Sequence, residues 1–230
     1  MFRRSVILML AFAAAVQGAE LGTLSEKYES GGRGPATVST GVGDPGGVSY
    51  GSYQLASKVG RADEFVKKHY PKEFAGLVGG TPEFTAKWKA LAAADPKELH
   101  AKEHEFIRAT HYDPQASKLK KEIGLDVVER SAALRDVVWS TAVHHGPNTA
   151  LIVKVVKPLL TGTTIDQVTD EAIIKAVYAE RGRKTADGKL VHFPRVSDAW
   201  LPGLTNRFVN ECKDALEMLA KEKESPKPAR

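Results

Sequence analysis

The chain has 230 residues, 42% hydrophobic and 27% charged, with a formal charge of +5. That fits one large domain with its own core, or two small ones, and excludes a fibrous or disordered chain. The charge is small and scattered and no binding motif accompanies it, which argues against nucleic acid and suits an anionic partner such as a cell wall or lipid surface.

The chain opens like a targeting segment. Arg3 and Arg4 precede an apolar run over residues 6–16, and small residues follow, which places cleavage after Gly18. The run is short for a bilayer span, so a retained anchor is the alternative reading. Loss of residues 1–18 leaves a charge of +3. Export to the periplasm or beyond is the expectation, without stable membrane insertion after cleavage. No cysteine follows the run, so no lipid anchor is expected. The single cysteine, Cys212, has no intrachain partner, and its apolar helical setting points to burial.

Helical patterns fill most of the remainder. Residues 21–30 read as a short helix and residues 60–74 as another, broken at Pro71. Three segments open with a cap followed by proline: Thr81-Pro82, Asp95-Pro96 and Asp113-Pro114, the last stopping at Gly124. Residues 131–146 place Leu134, Val137, Val138, Thr141 and Ala142 on one face, the pattern of a central buried helix. Helices over residues 147–160, 170–183 and 201–222 complete the set. Residues 19–220 form one mostly helical domain, and the polar residues 221–230 read as a disordered tail.

The exception is the stretch "YESGGRGPATVSTGVGDPGGVSYGSYQ", residues 28–54. It is dense in glycine, and "ATVST" and "GVSYGSYQ" alternate like short strands around a turn. "KLVHFPRV" is a second candidate extended segment. Within the first stretch lie two carboxylates, Glu29 at a helix end and Asp44 in the turn. Glycoside hydrolysis needs such a pair in unlike settings. One acid stays protonated to serve the leaving oxygen, and the other stays charged to activate water or stabilise the sugar cation. A helix-end Glu against apolar side chains and a solvated turn Asp supply those settings. Glycine lets a polysaccharide approach the backbone. Tyr50 and Tyr53 are candidate stacking faces, and Ser49 and Gln54 are candidate hydrogen-bonding groups for sugar hydroxyls, as is Ser52. The alternative is a surface loop with one capping Glu and one turn Asp.

The run "YES" followed by "GVGDPGGVSYGSYQ" resembles the active-site segment of goose-type lysozymes and soluble lytic transglycosylases. Residues 41–44 match their Gly-x-Gly-Asp turn, and Gly51-Ser52-Tyr53-Gln54 stands where a Gly-Leu-Met-Gln-like run is usual. "LPGLTNRFVNE" is similar to a helix near the end of many phage-type lysozymes. The resemblance implies a mainly α (α+β) lysozyme-like fold with a small β-hairpin beside the groove. It makes Glu29 the general acid and Asp44 a water-positioning carboxylate. It implies a peptidoglycan glycosidase working on peptidoglycan or a related amino-sugar polymer, with a proteinaceous inhibitor as a candidate partner and no cofactor or metal. Lytic transglycosylation, chitosan or chitin cleavage, and wall binding without cleavage remain alternatives.

Three further groups stand out. "HAKEH" has the H-x-x-E-H spacing of one zinc peptidase group, with His100 and His104 as ligands and Glu103 as base. His144 and His145 close the apolar helix, where a helix C-terminus favours imidazolium. They are candidates for capping, or with Asn148 for the groove floor. Trp88, Trp139 and Trp200 are candidate sugar platforms, with core packing favoured for Trp139. Arg181 and Arg183 read as surface charge, or as contacts to wall carboxyls.

Overall fold

A computed structural model describes residues 21–29 and 34–224, and of Glu26 and Glu29 it describes the backbone alone. The leader expected over residues 1–18 lies outside the described residues. The helices follow the chain as α1 (Thr23–Glu29), α2 (Arg61–His69), α3 (Pro82–Ala94), α4 (Pro96–Ile107), α5 (Asp113–Ile123), α6 (Ala132–His145), α7 (Leu151–Val156), α8 (Asp170–Arg181) and α9 (Leu201–Glu224). Helix α9 continues to Glu224, beyond the start of the expected tail, and residues 225–230 lie outside the described residues. Among the described residues no helix is long and apolar enough to cross a membrane.

Side-chain caps explain several starts. The Thr81 hydroxyl accepts from the Phe84 amide at 3.3 Å, Asp95 from Glu98 at 2.9 Å, and Ser131 from Leu134 at 3.1 Å. The third Asp-Pro pair behaves differently. Asp113 is already helical at φ −60°, and a π-helical turn over Arg108–Tyr112 joins α4 to α5. Pro114 can neither donate an amide nor tolerate the carbonyl four residues back, and the wide turn absorbs the conflict without ending the helix.

Helix α6 is the axis of the fold. It is buried around most of its circumference and packs against α1, α8 and α9. The second aromatic centre lies towards the N-terminal half. Tyr50, Phe65, Phe74, Phe84 and Trp88 are all buried, and their rings meet at centroid distances of 4.8 to 6.5 Å. The β element sits on this cluster. Strand β1 (Ser49–Tyr50) pairs antiparallel with β2 (Leu55–Ala56), and Tyr50 also bridges Val38 on its other side. The fold is therefore mostly α with one small antiparallel sheet, as the sequence implies. The second extended candidate reduces to a single bridge between Lys184 and Leu190.

Candidate active site

Helix α1 is only seven residues long, too short to hold itself. The fold holds it from outside. The Asp136 carboxyl on α6, 1% exposed, accepts from the amides of Gly22 and Leu24 and from the Thr23 hydroxyl. It thereby caps the first turn from another helix. Burial pushes the Asp136 carboxyl up despite these donors. At the other end Lys27 and the Tyr28 hydroxyl both reach Asp214 of α9, at 2.6 and 2.7 Å, and the Arg207 guanidinium lies 5.8 Å from the Tyr28 ring centre. Glu29 is the last residue of this clamped helix. Its side chain lies outside the described residues.

Asp44 is exposed at the tip of the glycine-rich turn. Its Oδ1 accepts from the Gly46 amide at 2.7 Å, and its carbonyl accepts from Gly47 at 3.0 Å. The turn is tight because Gly41, at φ +68°, would carry a Cβ 2.7 Å from the Val48 amide nitrogen. The carboxylate is thus in water yet fixed in direction.

Two open concavities flank this turn and meet at Thr40. One, of about 500 Å³, is lined by residues 36–40 and Gln54. The other, of about 330 Å³, runs past Gly47, Lys58 and Thr81. Gln54 is half-buried with φ +49°, and its amide donates to the Gly51 carbonyl at 2.9 Å. Thr37, Ser39 and Thr40 join it, and the sequence reading missed them. The alternation of "ATVST" is the signal that places them along one edge. A larger cavity, about 710 Å³, lies elsewhere, between α8 and α9 among Ala179, Phe208, Val209 and Leu216. It lies away from the turn that carries Asp44, whereas the concavity beside Gly41 and Gly47 flanks that turn.

Several expected sugar contacts are corrected. Tyr50 is fully buried against Phe84 and Trp88, and its hydroxyl meets Thr85 and the Gly80 amide. Tyr53, 4% exposed, stacks on His100 and packs on Trp139. Ser49 is 6% exposed and Ser52 fully buried. These side chains hold the ribbon up and offer no face to a glycan. Trp88 and Trp139 are likewise fully buried, while Trp200 is 76% exposed. Asn148 is exposed, and its carbonyl accepts from Lys118.

The zinc reading is also corrected by geometry. The His104 Nε2 lies 2.6 Å from the Leu21 carbonyl, which can only accept, so that nitrogen carries its proton and is closed to metal. His100 Nδ1 meets the Ser52 hydroxyl at 3.1 Å, and Glu103 Oε2 accepts from the Ser52 amide at 3.3 Å. Among the described residues no group of three His, Cys, Asp or Glu is arranged to hold a metal ion.

His144 and His145 are not cationic caps. Their rings are covered by Phe193 and Phe208, and each accepts a hydrogen bond from Arg181 at 3.2 Å. Burial first, and then Arg181, holds His145 down to about 3, and burial with Arg207 pushes His144 well below the usual imidazole range. Folded His145 stays neutral while the unfolded chain binds a proton near pH 6.5, so acidification favours unfolding by about 1.4 kcal/mol per pH unit for that one group. Melting temperature is expected to fall between pH 6.5 and pH 4, and His145→Gln to flatten that slope. An unchanged slope in the variant refutes the assignment.

Arg181 itself is fully buried, not surface charge. Its Nη1 lies 2.7 Å from Glu211 Oε2, and Arg207 Nε lies 2.7 Å from Glu211 Oε1. Ser140 of α6 donates to the same carboxylate at 3.1 Å. The network joins α6, α8 and α9 directly behind Arg207 and Tyr28. Cys212 is half-buried, less enclosed than expected, and burial pushes its thiol up.

Comparison with known proteins places these elements in one family match. Residues 21–212 match the family "Type VI secretion system spike protein VgrG3-like, C-terminal". The type VI secretion system spike protein VgrG3 of Vibrio cholerae is 40% identical over 202 residues, which are 86% of this chain and 19% of that protein. The chain thus spans about a fifth of the length of that relative. A native chitosanase from Bacillus subtilis MY002 shares the fold at a TM-score of 0.51 and 21% identity, over 86% of each chain.

Proposed function

From the premise that this chain belongs to the VgrG3-like C-terminal family of type VI secretion spike proteins, we propose that it is a glycoside hydrolase cleaving the glycan strands of peptidoglycan outside the cytoplasm. Glu29 protonates the leaving oxygen, and Asp44 directs the attacking water or stabilises the sugar cation. Gln54, Thr37, Ser39 and Thr40 supply hydrogen-bonding groups to the sugars. The observation that carries this reading is the mounting of Asp44. A water-exposed carboxylate is locked to its own turn, and that turn springs from Thr40, where two open concavities meet. An open cleft of that shape admits the middle of a polymer, which a closed pocket does not. Residues 1–18 act as the export leader on this reading.

The chitosanase likeness gives the fold and leaves the glycan to experiment. Purified sacculi digested with the protein are expected to yield disaccharide-peptides ending in a reducing sugar, read by mass spectrometry. Anhydro ends would reassign the reaction to lytic transglycosylation. Released peptides with intact glycan, or no product at all, would overturn glycan hydrolysis.

A further inference from the structure

Helix α4 carries a motif that glycan cleavage leaves unused, and its central acid is fully buried. A carboxylate in that position is costly to desolvate and needs a compensating role. Gly51 shows where it sits. A Cβ on Gly51, at φ +76°, would fall 1.4 Å from Glu103 Oε1, so the carboxylate occupies the space a side chain at position 51 would take. The next amide, of Ser52, donates to Glu103 Oε2, and the Ser52 hydroxyl meets His100 one helical turn away.

The contact falls at a crossing point. The Gly51 amide donates to the Thr37 carbonyl at 2.7 Å, which fixes the edge formed by residues 36–40. The Gly51 carbonyl accepts from the Gln54 side chain at 2.9 Å. Both borders of the concavity lined by residues 36–40 and Gln54 therefore hang from the glycine that Glu103 touches. Residues 46 and 48, on the return from the Asp44 turn, are tied to the same ribbon through the amides of Lys58 and Ser57, each at 2.9 Å.

We propose that Glu103 is a positioning residue for the glycan: it holds the turn over residues 51–54 and so sets the width and direction of the groove between residues 36–40 and Gln54. The inference rests on the glycan-cleaving reading for its kinetic part only. Its role is geometric, so Glu103→Gln, which keeps the shape and an accepting oxygen, preserves it, and Glu103→Ala abolishes it.

The test uses the full chain, with hydrogen exchange by mass spectrometry beside kinetics on solubilised wall fragments. In Glu103→Ala, amides over residues 37–57 are expected to exchange ~10-fold faster, while those of α6 and α9 keep their wild-type rates. The ratio kcat/KM is expected to fall ~100-fold, with KM rising more than kcat falls. Glu103→Gln is expected to stay within ~3-fold of wild type in both. Wild-type exchange and kinetics in Glu103→Ala would overturn the proposal. Equal damage from Gln and Ala would also overturn it, by assigning the carboxylate's charge to the chemistry. If Glu103→Ala loosens α6 and α9 as well, Gly51→Ser displaces the carboxylate without removing it, and the same local loosening is expected, its absence counting against the proposal. A wild-type protein that releases no wall fragments would sink the glycan reading, while the exchange arm still decides whether Glu103 holds the ribbon.

Discussion

Glu29→Gln is expected to lower the rate of sacculus clearance by ~10³-fold while leaving the melting temperature within about 2 °C of wild type. The first half follows from chemistry. An amide has the size of the acid and no proton to give, and general acid catalysis is worth about two to four orders of magnitude. The second half follows from how α1 is held. Asp136 caps its first turn, and Asp214 binds Lys27 and Tyr28, so contacts made by other residues hold the helix. Asp44→Asn tests the partner: the amide oxygen still accepts from Gly46, so the turn survives and the charge alone is lost. Its expected loss is ~10²-fold, read as turbidity of purified sacculi and soluble fragments by chromatography. Undiminished clearance by Glu29→Gln removes the acid assignment, and undiminished clearance by Asp44→Asn removes the second carboxylate only.

The helices were legible because their signals are local. Thr81, Asp95, Ser131 and Thr169 each cap the turn that follows, and the apolar period of residues 131–146 marks α6 as central. The Asp113-Pro114 pair looks identical in sequence. It fails as a start because α4 is already running into it and a π-helical turn accommodates the proline. The ribbon was legible as a glycine-rich element with a carboxylate at its tip. Which side chains face the cleft was not. Alternation assigns Tyr50 and Tyr53 to faces, but α3, α4 and α6 lie beneath the ribbon and bury what the pattern leaves open. Arg181 read as surface charge for the same reason. Its partner Glu211 is thirty residues away in sequence, and only packing of α8 on α9 brings them together. The local half of that network, Arg207 and Glu211 one turn apart on α9, was visible inside "NRFVNE".

That network sets the second large expectation. Glu211→Ala is expected to destabilise the fold by about 3–5 kcal/mol, a drop of roughly 10 °C in melting temperature for a chain of this size. Both Arg181 and Glu211 are fully buried, so removing the acid strands a guanidinium with no water to replace it. Arg181 keeps Ser140 and the two histidines, but these are neutral and cannot balance its charge. Arg181→Met is expected to cost less, because Glu211 retains Arg207 and the Ser140 hydroxyl. A buried ion pair and a well-packed apolar pair of similar volume differ little in net stability. The double variant Arg181→Met with Glu211→Leu is therefore expected to recover most of what Glu211→Ala loses, by urea or thermal unfolding. The double variant removes the Glu211 contact of Arg207, which lies over Tyr28 on the clamped helix. Stability and activity should then part: the double variant folds near wild-type strength yet clears sacculi more slowly, because Arg207 beside the helix that carries Glu29 has lost its ion pair with Glu211. Equal stability of Glu211→Ala and wild type would sink the buried-charge argument. A fully active double variant would show that the network supports the fold without reaching the site.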